Sequence, residues 1–260
     1  GYYLDFSTGA NLGDDKSTNA TDFTVKQGAA ASDQMLDTPT NNFAVISCID
    51  GNIDGDDTFK EGNLRFENTE NTITSMRRAT FAMASGKWYW EVLRGDSPGE
   101  QGATLGIMQA PAGNVTNVSI GSTNTDLDDG MGIYGSGGVL TGTGNTLNGD
   151  STAQSQNDVM MWAYDADTGK LWLGFNGTWR NGSGGNTGVP ATGAYPWATM
   201  GAYATVTYAP AFQSHNDTVW YANFGQDGTF AGTITAGDNP DDNGYGNFKH
   251  DVPAGFLALC

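Results

Sequence analysis

Turn-forming residues interrupt this chain so often that they exclude long helices. The 260 residues include 38 glycines but only five glutamates and six lysines. Gly, Thr, Asn, Ser and Asp recur within about ten residues of one another, and they favour turns because of their backbone freedom or their side-chain bonds to the backbone. The sequence therefore predicts an all-β chain built from short strands.

The strands are predicted where apolar and polar residues alternate with period two, because successive side chains of a strand point to opposite faces. The clearest run is Lys87–Val92. Trp88 and Trp90 share one face of this run, and Tyr89 and Glu91 share the other. The pattern is typical of a half-buried strand, with one face on a core and one toward solvent.

A hairpin is predicted near the middle of the chain. Val159–Tyr164 and Leu171–Phe175 alternate in the same way, with a turn-rich connector between them. Asn176-Gly177 follows and is a strong hairpin signal, because both residues tolerate a positive φ; Trp179 comes next. Further strands are predicted at Tyr2–Phe6, Asp22–Val25, Phe43–Ile49, Asn63–Glu67, Thr104–Gln109, Gly130–Tyr134, Trp197–Tyr203, Thr218–Phe224 and Gly255–Leu259.

The close spacing of these strands favours one antiparallel β-sandwich. No Pro- or Ser-rich linker divides the chain, and Gly135–Gly149 is interpreted as an exposed loop. The chain begins with Gly1 rather than Met and stops at Cys260 after an apolar run. We expect it to be part of a longer polypeptide.

Composition excludes several classes of protein. With 29 acidic and 11 basic residues the net charge is −18, which argues against nucleic-acid binding and against a polybasic membrane surface. No apolar run reaches the about 20 residues of a membrane-spanning helix. Two cysteines, Cys48 and Cys260, allow at most one disulfide, and with two histidines the chain lacks the residues for a zinc cluster or for Cys/His catalysis.

Four motifs resemble SPRY domains. Ser85–Val92 reads SGKWYWEV, Leu105–Ile107 stands where such domains carry a GI strand, Asp158–Trp179 resembles their later D-V to N-G-x-W segment, and Asn223–Gln226 resembles their closing NFGQ. They occur in the expected order. The resemblance implies a concanavalin-like antiparallel β-sandwich that acts as a binding or structural module without chemistry of its own.

The flanks resemble the segments that surround such a domain in tailed-phage fibre and other virion structural proteins. The N-terminal flank carries Tyr2–Ser7 and Asp37–Phe43, and the C-terminal flank carries Pro253–Cys260. We therefore expect one domain made of N-terminal strands (1–80), a SPRY-like core (81–230) and a C-terminal loop with a closing strand (231–260). Insertions at Gly113–Asp128 and Gly135–Asn157 depart from the family and are expected to form long rim loops.

One segment matches a calcium-loop pattern. Residues 50–61 satisfy D-x-[DN]-x-[DN]-G-x5-E, in which oxygen ligands alternate and a terminal Glu binds a hard cation. Against this, the eighth position is an acid instead of an apolar residue, and the flanks look like strands instead of helices. The alternatives are a calcium site and a solvated acidic hairpin loop. The ligands would be Asp50, Asn52, Asp54, Asp56 and Glu61.

Aromatic rings beside Gly-rich turns are candidates for stacking on a sugar, with acidic side chains fixing its hydroxyls. The predicted ligand-binding residues are Tyr134, Trp179, Tyr195, Trp197, Asp128 and Asp129. Core packing is the alternative for the rings, and an exposed acidic turn is the alternative for the two acids. Neither a paired-carboxylate strand nor a G-x-S-x-G elbow occurs, so no catalytic residue is predicted.

The leading hypothesis is a non-catalytic adhesion module on the virion exterior, in a phage tail or head fibre. Its partners would be other virion proteins and a host-surface glycan or protein, with neither nucleic acid nor membrane insertion. A homotrimer would suit a fibre, but no residue establishes it. Two alternatives are a capsid decoration domain without a host ligand and a glycan depolymerase on a concanavalin-like fold.

Overall fold

The computed structural model describes residues 1–25, 31–38, 40–52, 56–69, 75–96, 103–110, 120, 130–135, 137, 139–141, 146–147, 153–181 and 185–260. Regular structure in this part of the chain is β except for three 3-10 turns, at Ala31–Asp33, Glu61–Asn63 and Pro190–Thr192. The strands are β1 (Ile46–Asn52), β2 (Asp57–Lys60), β3 (Arg65–Asn68), β4 (Ser75–Ala79), β5 (Lys87–Arg94), β6 (Thr104–Gln109), β7 (Gly130–Tyr134), β8 (Val139–Thr141), β9 (Thr146–Leu147), β10 (Val159–Asp165), β11 (Lys170–Phe175), β12 (Thr178–Trp179), β13 (Ala198–Thr199), β14 (Tyr208–Ser214), β15 (Thr218–Asn223) and β16 (Leu257–Ala258). Within the described ranges, no helix is long and apolar enough to cross a membrane.

The strands form two sheets, and the predicted antiparallel β-sandwich is confirmed. The first sheet has the order β1-β4-β14-β6-β7-β8. The second has the order β2-β3-β15-β5-β10-β11-β13-β9, with β12 beside β11 and β16 beside β5. The pairs are antiparallel except that the two residues of β16 run parallel to Trp88 and Tyr89 of β5. The C-terminal residues therefore extend an edge of β5 that β15 occupies further along.

The core lies between the two sheets. Tyr164 of β10 meets Tyr208 of β14 edge to face, with ring centroids 5.8 Å apart, and so joins them. Trp90 and Trp162 face each other in neighbouring strands of the second sheet. Their rings are nearly parallel at 6.1 Å, and both are fully buried. Aromatic burial of this kind supplies much of the apolar area that stabilises a sandwich.

The prediction that β5 has a solvent-facing side is wrong. Tyr89 and Glu91 are as completely buried as Trp90. A C-terminal segment covers them: Phe248 packs edge to face on Tyr89 at 4.9 Å, and the N–H group of Lys249 donates to Glu91 from 158 residues further along the chain. The alternation of apolar and polar residues within a strand gives no information about a covering segment so far along the chain.

Two of the predicted N-terminal strands, Tyr2–Phe6 and Asp22–Val25, are absent. A buried carboxylate organises this region instead. Asp15 accepts N–H groups from Tyr3, Ser17 and Thr21 at 2.9–3.2 Å. Side-chain acceptors of this kind compete with strand ladders for backbone donors, so the region forms turns.

Candidate functional site

The structure separates the four predicted binding rings. Tyr134 ends β7 in the first sheet and is half-buried. Trp179 lies in β12 of the second sheet and is also half-buried. Tyr195 is 64% exposed on the loop before β13, where its φ of 50° is in the left-handed region. These three rings lie on different elements, and only Trp179 lines the cleft described below.

Trp197 has no exposed face. Its ring meets Trp162 edge to face at 5.8 Å, and its relative exposure is 0%. Trp197 is therefore a core residue, which is the alternative that the sequence left open for these rings. The predicted acidic pair Asp128 and Asp129 lies outside the described residues.

The acidic segment 50–61 is partly neutralised by arginines of the neighbouring strand β4. Asp50 accepts two hydrogen bonds from the guanidinium of Arg78, at 2.8 and 2.5 Å. Asp57, which starts β2, pairs with the buried guanidinium of Arg77 and accepts a bond from the Ser75 hydroxyl at 2.7 Å. These carboxylates are therefore engaged by side chains of the chain itself.

The other predicted calcium ligands are spread over different parts of this segment. Asn52 ends β1, Asp56 is exposed, and Glu61 begins a 3-10 turn with a φ of 52°. Asp54 lies outside the described residues. Within the ranges that the structure describes, no group of three or more His, Cys, Asp or Glu side chains is placed to hold a metal ion. The calcium site stays a prediction.

A cleft of about 330 Å³ lies on the outward side of the second sheet, and we name it the outer cleft. One side is the β11–β12 hairpin with Gly177 and Trp179, and the floor includes Met161. The opposite wall belongs to the C-terminal segment, with Asn239 and residues 249–251. The volume falls at the lower end of ligand sites, which span about 300–1,000 Å³.

Strand register explains why the floor is outward. Met161 lies opposite Glu91 of β5 and opposite Gly174 of β11, and Gly174 lies opposite Trp179. Paired residues of neighbouring strands point to the same face. This face is the one that Trp90 and Trp162 do not share, so it looks away from the first sheet and is covered by the C-terminal segment. A Cβ on Gly174 would lie 2.3 Å from the Met161 methyl carbon, so a larger residue here would displace the end of the Met161 side chain from the floor.

The hairpin beside the cleft confirms the sequence prediction. Phe175 pairs with Thr178, and the two residues between them have φ angles of 49° and 87°. Two positive φ values define the tight turn that Asn-Gly favours. The His250 ring packs against this turn, since a Cβ on Gly177 would lie 3.3 Å from its Nδ1.

Glu91 holds the opposite wall. Its Oε2 accepts the N–H of Lys249, and its Oε1 accepts the N–H of His250, each at 2.8 Å. The Tyr89 hydroxyl donates to Oε1 at 2.7 Å, and the Asn223 amide nitrogen lies 3.5 Å from Oε2. One carboxylate thus fixes the backbone of two consecutive wall residues.

Burial dominates the electrostatics under the cleft. It raises the pKa of Glu91 to about 7, although the donors from Lys249, Tyr89 and His250 favour the ionised carboxylate and act the other way. Burial also raises the pKa of Tyr89 well above its usual value, and the charge of Glu91 adds to this. The pKa of His250 is lowered, first by burial and then by the charge of Lys249. The imidazole is therefore neutral at pH 7.

Sequence reasoning identified one residue of the outer cleft, Trp179, and missed its polar partners. His250 belongs to no sequence motif, and neither do Asn239, Lys249 and Asp251. The cleft joins segments about 70 residues apart, so no local spacing reports it. The one available signal was an aromatic residue directly after an Asn-Gly hairpin turn.

No protein-family model and no curated protein matches the chain. Solved structures are similar to it, including the following two. The SPRY domain of human HERC1 has a TM-score of 0.46 at 12% identity, covering 68% of this chain and 96% of that domain. The TRIM65 PSpry domain has a TM-score of 0.43 at 12% identity, covering 70% and 89%. Both are SPRY domains, and the likeness concerns the fold alone.

Proposed function

We propose that the chain is a non-catalytic binding module that recognises a glycan through the outer cleft. The observation that carries the proposal is the half-buried indole of Trp179 in a cleft otherwise lined mainly by polar groups. Its ring is braced from below by Tyr89, with centroids 6.2 Å apart. A braced indole offers a rigid apolar surface to the apolar side of a sugar ring.

The polar groups around the indole suit hydroxyl ligands. Asp251 is exposed and its carboxylate accepts hydrogen bonds, and Asn239 has an amide that both donates and accepts them. The Lys249 ammonium uses one donor on the Thr235 carbonyl and has two further N–H groups. The Nδ2 atom of Asn239 donates to the Lys249 carbonyl at 3.1 Å, so this side chain is already held in place. A few placed polar groups beside an apolar surface are the usual composition of a small-ligand site.

The same lining disfavours hydrolysis. Most glycosidases need two carboxyl groups that face the scissile bond, one as acid and one as base or nucleophile. Among the described residues that line the outer cleft, Asp251 is the only carboxylate. Glu91 lies beneath the wall with no exposed surface, and its oxygens are occupied by donors of the chain.

We further propose that this module serves adhesion on the exterior of a virion. The support is the resemblance of both flanks to tailed-phage fibre proteins, together with a net charge of −18 that keeps crowded copies apart. Weak binding at single sites is sufficient for such a role, because many displayed copies gain avidity.

The test is a glycan array probed with the biotinylated 260-residue chain on tetrameric streptavidin. We expect binding to a restricted set of glycans, and we expect Trp179→Ala to abolish it. Trp88→Ala is the matched control, because Trp88 is also a half-buried indole on the second sheet but lies away from the outer cleft.

Three results would overturn the glycan proposal. One is the absence of any array signal with folded tetramers. Another is a signal that survives Trp179→Ala, and the third is a signal that Trp88→Ala removes as completely as Trp179→Ala does. Capture of a host surface protein by the same tetramers, without array binding, would assign the module to a protein partner.

A further inference from the structure

Glu91 is a buried carboxylate without a counter-ion. Its side chain has no exposure, and no ion pair joins it to a basic side chain in the described part of the chain. Lys249 bonds to Glu91 through its backbone N–H, while its ammonium donates to the Thr235 carbonyl at 2.9 Å. An ionised carboxylate in this position is costly because it has lost water and gained no opposite charge.

The cover that buries Glu91 is also the wall of the outer cleft. Lys249 and His250 lie over the carboxylate and bond to it through their backbone N–H groups. Their neighbour Asn247 is tied to the second sheet by an N–H bond to Gly225 and by a bond from Asn223 to its carbonyl. If this wall lifts, Glu91 meets water.

We propose that Glu91 is the positioning residue of the outer cleft and that its protonation tightens the wall formed by Lys249–Asp251, so that the cleft is better formed at acid than at alkaline pH. This inference takes its ligand, a glycan, from the proposed function. The movement of the wall is measured in the absence of any ligand.

The direction follows from linkage. With the wall closed the pKa of Glu91 is raised to about 7, and with the wall open water returns it toward its ordinary 4.5. The closed state therefore binds the proton more tightly. Closure is favoured fully below about pH 4.5, and this contribution is lost as the pH rises through about 7. The full effect corresponds to an opening equilibrium that changes on the order of 100-fold.

The other titratable groups around Glu91 are few. Its own strand presents Tyr89, and the C-terminal segment presents Lys249, His250 and Asp251. Beside it, β10 and β15 present Met161 and Asn223, which do not titrate. His250 is the competing origin of a pH effect in this range, so it supplies the control.

The experiment is hydrogen–deuterium exchange of the Lys249 and His250 amides at about pH 6 and about pH 8.5, corrected for the intrinsic pH dependence of exchange. In the unaltered chain we expect protection to fall about 10-fold at the higher pH, because part of the full effect is already lost at about pH 6, above the ordinary pKa of 4.5. Glu91→Gln keeps the shape without the charge, and we expect its protection to be the same at both values. His250→Gln should retain the pH response.

A response that persists in Glu91→Gln, or one that vanishes in His250→Gln, overturns the proposal. Protection that does not change with pH in the unaltered chain also overturns the proposal. This measurement does not depend on whether any variant folds. Tyr89→Phe gives an independent check: it removes a donor that favours the ionised form, so the midpoint should move to higher pH, and an unmoved midpoint counts against Glu91.

A binding assay on the array-positive glycan then separates the two proposals. Affinity should decline from about pH 6 to about pH 8.5 in the unaltered chain and stay level in Glu91→Gln. A wall that responds to pH in a chain that binds no glycan refutes the proposed function alone. Glycan binding through Trp179 with a wall indifferent to pH refutes the positioning role alone.

Discussion

Asp50 and Arg78 form a two-point ion pair, with the Nε and Nη2 atoms of the arginine 2.8 and 2.5 Å from the two carboxylate oxygens. Arg78 is 2% exposed, and its Nη1 atom donates to the Gln109 carbonyl at 2.7 Å. A cation that binds Asp50 would displace this guanidinium and leave it buried without its counter-ion, which is strongly destabilising. The carboxylate of Asp50, the first predicted calcium ligand, is therefore already neutralised by Arg78.

For this reason we expect millimolar calcium to leave the melting temperature of the EDTA-stripped protein unchanged. Asp50→Asn should lower the free energy of unfolding by about 2 kcal/mol with or without calcium, because it removes a charge-assisted partner of a buried arginine. Thermal melts and calorimetry with and without calcium check both statements. Binding heat that Asp54→Asn abolishes would establish the calcium site instead.

The N-terminal residues should depend on Asp15. Backbone N–H groups of Tyr3 and Ser17 lower the pKa of this carboxyl to about 2. A depressed pKa means that its stabilising contribution is complete above the ordinary 3.8 and disappears as the pH falls through about 2. We expect Asp15→Ala to expose residues 1–25 to thermolysin at neutral pH while the sandwich stays intact.

Asp5→Ala is the matched control for this region. Asp5 also bonds to a nearby backbone N–H, that of Ser7, but it is exposed and holds only a local turn. Cleavage within residues 1–25 should stay slow in this variant. Equal cleavage of both variants, or of neither, would show that Asp15 does not organise the segment.

Strands with strong local patterns were predictable, and strands with contrary local signals were not. The bounds of β6 and β7 match their predictions, because their flanks are rich in turn residues. The central strand β14 was missed because it contains Pro210, which normally excludes a central strand. Pairing of β14 with β4 begins only at Ala211, so Pro210 lies just outside the paired stretch. Strand β4 therefore does not need a backbone N–H donor from Pro210.

The candidate site was less predictable than the fold. Trp179 follows a turn that the sequence shows plainly, whereas Lys249 and His250 reach the cleft only because Glu91 fixes their backbone. These two bonds join positions that are 158 and 159 residues apart, and neither end has a distinctive sequence pattern. Burial of Glu91 therefore depends on tertiary structure that period-two alternation does not encode.

Close backbone approach makes Gly106 a sensitive position in β6. A Cβ here would lie 2.0 Å from the Met131 carbonyl oxygen in the paired strand β7 and 2.6 Å from the Gly132 Cα. Both are backbone atoms, so neither can rotate away. We expect Gly106→Ala to lower the free energy of unfolding by about 3 kcal/mol or more, measured by urea denaturation.

Gly244→Ala separates this clash from the general effect of replacing glycine. A Cβ on Gly244 meets nothing within 4 Å, but its φ of 79° disfavours alanine. We expect a loss of about 1 kcal/mol from that strain alone. If the two variants unfold at the same urea concentration, the backbones of β6 and β7 are far enough apart at Gly106 to accept a Cβ atom.

The stability of the unaltered protein, measured relative to that of Glu91→Gln, should be greater in mild acid than at alkaline pH. Its pKa rises from an ordinary 4.5 in the unfolded chain to about 7 in the folded one, chiefly through burial. A raised folded pKa means that the contribution is fully present below about 4.5 and is lost as the pH rises through about 7, a change of about 3 kcal/mol. Urea denaturation of both proteins from about pH 5 to about pH 8.5 measures it as a difference, in which the titrations of His250 and the aspartates cancel. The unaltered protein should lose stability relative to Glu91→Gln across this range. A difference that stays constant with pH would mean that Glu91 is ionised throughout, because the N–H groups of Lys249 and His250 then outweigh its burial.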